Sequence, residues 1–215
     1  MKLLTNPNKF FDDLKYKSVQ LRYPLIIVAL LATLTSLYQY LLITKMSQAF
    51  PEDIAKFFVV GAYVGMIGSF IGMFAVWFVI ALLMHAISAL FGGEGSFRRT
   101  FEFTGYGFLP SLIGSAITVP FSAYYVMSAE VPKISVSDIQ TNPELLGEVL
   151  MGVIPRELVY SNVVISLAVT VWSLVIWSFA IKHAREIEFR KAFITALIPT
   201  TLFGIYQVWS ILKLL

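Results

Sequence analysis

The chain has 215 residues, of which 58% are hydrophobic and only 13% are charged, and its formal net charge is +3. Soluble domains carry charge on about a quarter of their residues, so this composition excludes an ordinary soluble domain. There are no cysteines, which excludes disulfides, thiol redox chemistry and cysteine-ligated metals. Several uncharged runs reach the roughly 20 residues that a helix needs to cross a membrane. The composition therefore predicts an all-α, polytopic membrane protein.

Residues 1–22 are mixed polar and aromatic, and they predict an amphipathic helix lying at the membrane interface. Asn6 and Pro7 are typical of a helix start, as the cap and the first helical residue. Apolar side chains recur on one face of this helix, and we expect that face to lie at the headgroup boundary. The residues of the face are Phe10, Phe11, Leu14 and Leu21. A disordered polar tail is the alternative.

Five apolar segments follow, and they make residues 23–215 one membrane domain of five transmembrane helices. The segments lie at about 23–44, 57–91, 100–127, 159–181 and 192–212. As a single helix the second segment would extend about 50 Å, against a hydrocarbon core of about 30 Å. We predict one tilted or bent span there, because no turn-forming sequence divides it; two spans are the alternative. Pro110 and Pro120 predict a kink in the third span.

The distribution of lysine and arginine predicts the orientation of the spans. Eleven of these residues lie in the head and in the turns that follow the second and fourth spans, and five lie at the opposite ends. The smaller group is Lys45, Lys56, Lys133, Arg156 and Lys213. The long connection 128–158 belongs to that side and is acidic. We therefore expect a cytoplasmic N-terminus and a C-terminus outside, whereas six spans would place both termini inside.

Residues 77–120 carry the most distinctive pattern of the chain. An apolar helix containing His85 is followed by the turn GGEGSF at residues 92–97 and by two arginines. A Gly-Tyr pair and, four residues after its tyrosine, a proline come next. The motif residues are Gly92, Gly93, Gly95, Gly105, Tyr106 and Pro110. This pattern, together with the start of the head, resembles the Yip1 domain family over nearly the whole chain.

The resemblance implies a multi-pass membrane protein. Eukaryotic members carry a long cytosolic N-terminal region with an Asp-Leu-Tyr-Gly-Pro-like motif, and nothing in this sequence matches it. Binding of small GTPases is therefore not supported. The short form is similar to archaeal and bacterial members, which implies residence in the plasma membrane of a prokaryote.

Three ionisable residues near predicted span ends, His85, Glu102 and His183, suggest a polar pocket. Ionisable side chains at membrane depth are costly, and they often mark a functional site. Two histidines and a glutamate could also hold zinc, but nothing in their spacing requires a metal. In the interpretation that we favour, Glu102 pairs with Arg98 or Arg99 at the surface, and His85 bonds a neighbouring carbonyl.

Small residues recur every four positions in the second span, at Gly61, Gly65 and Ser69, and separately at Gly68 and Gly72. Such faces allow helices to approach closely in lipid. We expect packing within the chain in preference to a homodimer.

Hydroxyl side chains follow one another on the third span, at Ser111, Ser115 and Thr118. They could bond across helices or line a polar path, and we favour the structural role.

No motif of a known enzyme class is present, and we predict no catalytic residue, no cofactor and no resident metal. The basic residues form no nucleic-acid patch, so nucleic-acid binding is not expected. The sequence predicts a non-catalytic integral membrane protein that organises the bilayer or binds lipid or other membrane proteins. A small channel or carrier with a polar path near His85 and Glu102 is the alternative function.

Overall fold

A computed structural model describes residues 2–135, 137, 141–142, 144–145 and 152–212. Those residues form helices and connecting loops, with no strand among them. Lys213 and about a third of the predicted acidic connection 128–158 lie outside the described residues. For the part of the chain described, the all-α prediction is confirmed.

The helices occur in the order that the hydrophobic segments predict. Each span helix begins a few residues before the predicted limit, because helical structure continues past the apolar run into its polar flanks. The helices are α1 (Lys2–Thr5), α2 (Pro7–Lys15), α3 (Arg22–Ser47), α4 (Glu52–Leu90), α5 (Phe97–Tyr106), α6 (Leu109–Ser128), α7 (Arg156–Arg185) and α8 (Phe189–Leu212).

Within the described residues, four segments are long and apolar enough to cross a membrane, and the chain is a multi-pass membrane protein. They are α3, α4, α7 and the stretch Phe97–Ser128, which contains α5 and α6. The fifth predicted span coincides with α8, a helix of 24 residues.

The segment predicted at 57–91 lies, except for its last residue, within one uninterrupted helix, α4, of 39 residues. A helix of this length extends about 60 Å, which is twice the hydrocarbon core. No turn divides α4, so the described structure gives no support to a second span in this segment.

The third predicted span is broken at Gly107 and Phe108, and not at either proline. Pro110 lies in the first turn of α6, where no helical hydrogen bond is lost, and Pro120 lies inside the continuous α6. The break has a packing cause, because the indole of Trp177 occupies the space beside the backbone of Gly107. A Cβ at Gly107 would lie 2.0 Å from the Trp177 Nε1.

Two tryptophans hold the broken span inside the bundle. Trp77 on α4 donates its indole N–H to the Phe101 carbonyl at 3.0 Å, and Trp177 on α7 donates to the Thr104 carbonyl at 2.8 Å. Both rings are buried in the main core, together with Met84. α5 is thus anchored from two neighbouring helices.

The small residues of α4 do not pack as predicted. Among the described residues, a Cβ at Gly61, Gly68 or Gly72 would meet no atom within 4 Å, and a Cβ at Gly65 would meet only the Gln39 Nε2, at 3.4 Å. The prediction of close packing within the chain is therefore wrong at three of these glycines. The homodimer alternative stays a prediction.

We expect Gly107→Ala to lower the free energy of unfolding by about 1–3 kcal/mol or more, because the new methyl overlaps the Trp177 ring. Gly61→Ala is the matched control, and its effect should stay within about 0.5 kcal/mol, since nothing lies beside it. Thermal unfolding of the purified protein in detergent measures both. Equal stabilities of the two variants would contradict the close contact between Gly107 and the Trp177 ring, to which we attribute the break.

Candidate functional site: the head end of the bundle

One end of the bundle gathers the residues that the sequence singles out, and we call it the head end. It comprises residues 2–23, residues 91–102, which contain the turn 91–96 between α4 and α5, and residues 182–191, which contain the turn 186–188 between α7 and α8. Backbone and side-chain bonds join these parts: the Glu94 N–H donates to the Arg185 carbonyl at 2.9 Å, and Lys182 donates to Asn8 at 2.9 Å. At the opposite, far end, Lys45 donates to the Met127 carbonyl at 3.0 Å.

The motif glycines shape the turn at the head end. Gly92 and Gly95 have φ angles of +77° and +98°, which L side chains rarely adopt. The Gly93 N–H donates to the Ser88 carbonyl at 2.9 Å and closes the end of α4. A Cβ at Gly93 would lie 2.8 Å from that same oxygen, and one at Gly95 would lie 2.6 Å from the Ala184 carbonyl. The turn therefore requires glycine at all three positions.

Arg185, the last residue of α7, fills the inside of this turn. Its side chain is only 4% exposed. Nε donates to the Ser88 Oγ at 2.8 Å, and the two terminal nitrogens donate to the carbonyls of Gly93 and Gly95. Among the described residues no carboxylate pairs with the guanidinium, so carbonyl and hydroxyl oxygens stabilise its charge. In the sequence Arg185 is one of the eleven lysines and arginines predicted on this side of the membrane, and no local pattern separates it from Lys182.

Glu102 lies on α5, fully buried, where it fastens the linker between the head and α3. Its carboxylate accepts from Arg99 at 2.6 Å and from the Gln20 backbone N–H at 3.0 Å. Arg99 also donates to the Lys17 carbonyl. The predicted pairing with Arg99 is thus present, but the carboxylate is fully buried, and only the Arg99 side chain is partly exposed.

The two histidines contact different parts of the head end. His85 Nδ1 lies 3.0 Å from the Thr100 hydroxyl, so its partner is a side chain and not the expected carbonyl. His183 Nε2 lies 2.9 Å from the Asn8 Oδ1, and its Nδ1 lies 3.5 Å from the carboxylate of Asp12. His183 therefore joins α7 to α2.

The three residues of the predicted pocket do not meet. No hydrogen bond or ion pair joins any two of His85, Glu102 and His183, all of which lie in the described part of the chain. Within that part, no group of three histidine, aspartate or glutamate side chains could hold a metal ion. The three polar residues instead make three separate contacts, each of which fastens a different pair of segments.

The aromatic face of the head packs against protein. Phe11 is completely buried, with its ring centroid 4.9 Å from that of Phe103 and 6.2 Å from that of Tyr106. The Phe10 ring lies 5.2 Å from Tyr106. The motif residue Tyr106 is therefore part of the surface on which α2 packs. Phe11 points toward the bundle and not toward the headgroup boundary.

The outer face of α2 carries an ion pair between Asp12 and Lys15, with 2.9 Å between Nζ and Oδ1. The hydrogen bond from Lys15 is the main cause that lowers the pKa of Asp12, and the same bond raises the pKa of Lys15. Both side chains are charged at neutral pH. The carboxylate that faces His183 is thus shared with Lys15.

The fold and the head end define a class of protein: a helical, multi-pass membrane protein whose N-terminal head is fastened to a glycine turn and a broken span. Comparison with known families gives the particular one. The Yip1 domain matches residues 1–211, and the chain belongs to the Yip1 domain family, as the motif residues predicted.

One relative is an uncharacterized protein of Methanocaldococcus jannaschii. It is 40% identical over 123 residues, a match that covers 57% of this chain and 86% of the relative. Its name states no function. No solved structure matches the chain.

We expect Arg185→Met to lower the free energy of unfolding by about 2–5 kcal/mol, because the carbonyls of Gly93 and Gly95 lose charged donors. Arg190→Met removes an exposed arginine from the start of α8 and should change stability by no more than about 0.5 kcal/mol. Thermal unfolding in detergent compares the two. A similar, small loss in both variants would show that Arg185 does not hold the turn.

We expect Glu102→Ala to release the linker and to speed tryptic cleavage after Lys17 by roughly tenfold, since about 1.4 kcal/mol of local stability corresponds to that factor. Glu94→Ala removes an exposed carboxylate of the neighbouring turn and should leave the rate unchanged. Glu102→Gln keeps an acceptor for the Gln20 N–H and should fall between them. Cleavage is followed by mass spectrometry of the released head peptide. An unchanged rate in Glu102→Ala would contradict the fastening role.

Proposed function

We propose that this protein is a non-catalytic membrane protein whose head end binds anionic lipid headgroups and thereby organises the bilayer around it. The observation that carries the proposal is the charge of the head end. Its exposed cations outnumber the exposed acids Asp13, Glu94, Glu186 and Glu188. The exposed cations are Lys2, Lys9, Lys17, Arg22, Arg98, Arg190 and Lys191.

The fastened head supports this function because it holds those charges in place. The rings of Phe10 and Phe11 seat α2 on α5, and Lys182 and His183 bond α2 to α7. Cations on a fixed frame lose less conformational entropy on binding than cations on a free tail. Each lysine or arginine near an anionic membrane surface contributes about 1 kcal/mol.

The exposed aromatic residues of the head end fit a position at headgroup level. Tyr16 is 81% exposed and Tyr23 is 56% exposed. Tyrosine is enriched where the hydrocarbon core meets the headgroups, since one end of its ring is apolar and the other is polar. A basic surface next to such residues is suited to phospholipid headgroups.

The proposal includes five spans, with α8 as the fifth. Its 24 residues would extend about 36 Å, which is sufficient to cross the hydrocarbon core. The excess of lysine and arginine at the head end favours a cytoplasmic head and a C-terminus outside. We assign the protein to the plasma membrane of a prokaryote, where anionic phospholipids face the cytoplasm.

The alternative of a channel or carrier near His85 and Glu102 has less support. His85 bonds Thr100, and Glu102 bonds Arg99 and the linker, so neither side chain is left to conduct a polar solute. We do not propose that function for this region.

The test compares two double variants that each remove two positive charges. Arg98→Gln/Arg190→Gln should lose phosphatidylglycerol by roughly thirtyfold in affinity, at about 1 kcal/mol per charge at low salt. Lys56→Gln/Arg156→Gln removes exposed charges at the far end and should bind as the wild type does. Native mass spectrometry of the full chain, titrated with phosphatidylglycerol or phosphatidylcholine, measures the retained lipid. Equal retention by both double variants would contradict the proposal.

A further inference from the structure

Hydroxyl and amide side chains are concentrated in a second region, in the part of the bundle that leads to the far end. A cleft of about 360 Å³ lies between α3, α6 and α7. Six of the polar side chains that line it are Tyr38, Ser111, Ser115, Thr118, Ser122 and Asn162. Near one end of the cleft Gly114 brings α6 against α7, since a Cβ there would lie 2.7 Å from Val169.

The hydrogen-bonding capacity of this cleft is not used up within the protein. Ser111 and Ser115, four residues apart on one face of α6, have no hydrogen-bond partner among the residues that the structure describes. Asn162 donates one bond, of 3.4 Å, to Ser122. Other hydroxyls of the lining are satisfied by their own helices, as Thr118 is by the Gly114 carbonyl at 3.0 Å and Thr35 by the Leu31 carbonyl at 2.9 Å, so the unused capacity lies at the two serines. Polar groups at membrane depth require partners, so the cleft is suited to a hydrogen-bonding ligand.

An apolar furrow continues from the cleft to the membrane. A neighbouring cavity of about 450 Å³ shares Thr118, Asn162 and Ile165 with the cleft. Its outer wall includes Ile117 and Phe121, which are 52% and 63% exposed on the outer surface of α6. A polar cleft joined to an open apolar furrow has the shape of a site for an amphiphile, with its chain in the furrow.

The charge of the two linings selects the headgroup. Glu157 is the one charged side chain that lines either cavity in the described part of the chain. It lines the furrow and not the cleft, so a phosphate in the cleft would find no cation to neutralise it. Hydroxyls, in contrast, can both donate to and accept from the serine, threonine and asparagine side chains.

We infer that the cleft between α3, α6 and α7 binds a lipid with an uncharged, polyhydroxyl headgroup, such as a glycosyl diacylglycerol. The headgroup bonds Ser111, Ser115 and Asn162, and an acyl chain lies along Ile117 and Phe121. This site shares no residue with the head end and does not depend on the binding of anionic lipid there.

The test uses the full chain in a polyoxyethylene detergent, which carries no sugar. The probes are monoglucosyl diacylglycerol, diacylglycerol with the same chains, and phosphatidylglycerol, each followed by native mass spectrometry. We expect the wild type to retain the glucosyl lipid about tenfold better than plain diacylglycerol. An excess of phosphatidylglycerol, which the head end binds, should not displace it.

Two variants locate the site. Retention of the glucosyl lipid should fall by roughly five- to tenfold in Ser111→Ala/Ser115→Ala and likewise in Asn162→Leu. This is the range expected when side-chain hydrogen bonds are lost within a membrane. Both should retain phosphatidylglycerol as the wild type does. Thr33→Val/Ser69→Ala is the control, because its two hydroxyls bond only their own helices, outside the cleft.

Three results would overturn the inference. They are displacement of the glucosyl lipid by phosphatidylglycerol, equal retention of glucosyl lipid and plain diacylglycerol, and unchanged retention in the serine double variant. If Asn162→Leu fails to fold, the serine double variant decides alone, because it removes only two hydroxyl oxygens. Loss of phosphatidylglycerol binding in the head-end variant leaves each of these outcomes unaffected.

Discussion

The buried guanidinium of Arg185 joins three segments of the chain, and the position of the head depends on it. Its donors reach Ser88 at the end of α4 and the carbonyls of Gly93 and Gly95 in the turn. Arg185 is also the last residue of α7, and carbonyl oxygens at the C-terminal end of a helix carry partial negative charge, so its cation is stabilised there without a carboxylate. The turn fixes where α5 begins, and α5 carries Glu102, which holds the linker of the head.

A second constraint, the close approach of two tryptophan rings to the backbone of α5, explains why the family motif continues into that helix. Two indole N–H groups, from Trp77 and Trp177, reach carbonyls of this helix, and each ring must come close to the backbone to do so. A Cβ at Gly105 would lie 2.7 Å from the Trp77 ring. Gly105 therefore has a packing role, and the break at Gly107 follows from the same close approach by Trp177.

The sequence allowed the all-helical fold, the family and five spans to be predicted, and four of those spans are found as span-forming segments, because each feature depends on local composition or on a short motif. The pairing of Glu102 with Arg99 was also predictable, since the two are three residues apart. The contact of His183 with Asn8 joins residues 175 positions apart, and no local pattern indicates it. The glycines of α4 show the same limit, because a repeat of small residues does not tell which surface will cover it. Gly61 and Gly114 both lie within apolar helices, but a Cβ would lie 2.7 Å from Val169 at Gly114 and would meet no described residue within 4 Å at Gly61.

The two regions that contact lipid in our proposals differ in how their polar groups are satisfied. At the head end, Arg99, Arg185 and Glu102 are bonded within the protein, and the exposed cations lie on the resulting frame. Such a surface is stable without a ligand, and lipid adds only electrostatic attraction. In the cleft, the hydroxyls of Ser111 and Ser115 have no such internal partner, and hydrocarbon offers them none. A hydrogen-bonding ligand therefore has a larger physical effect in the cleft than at the head end, although the head end carries more charge.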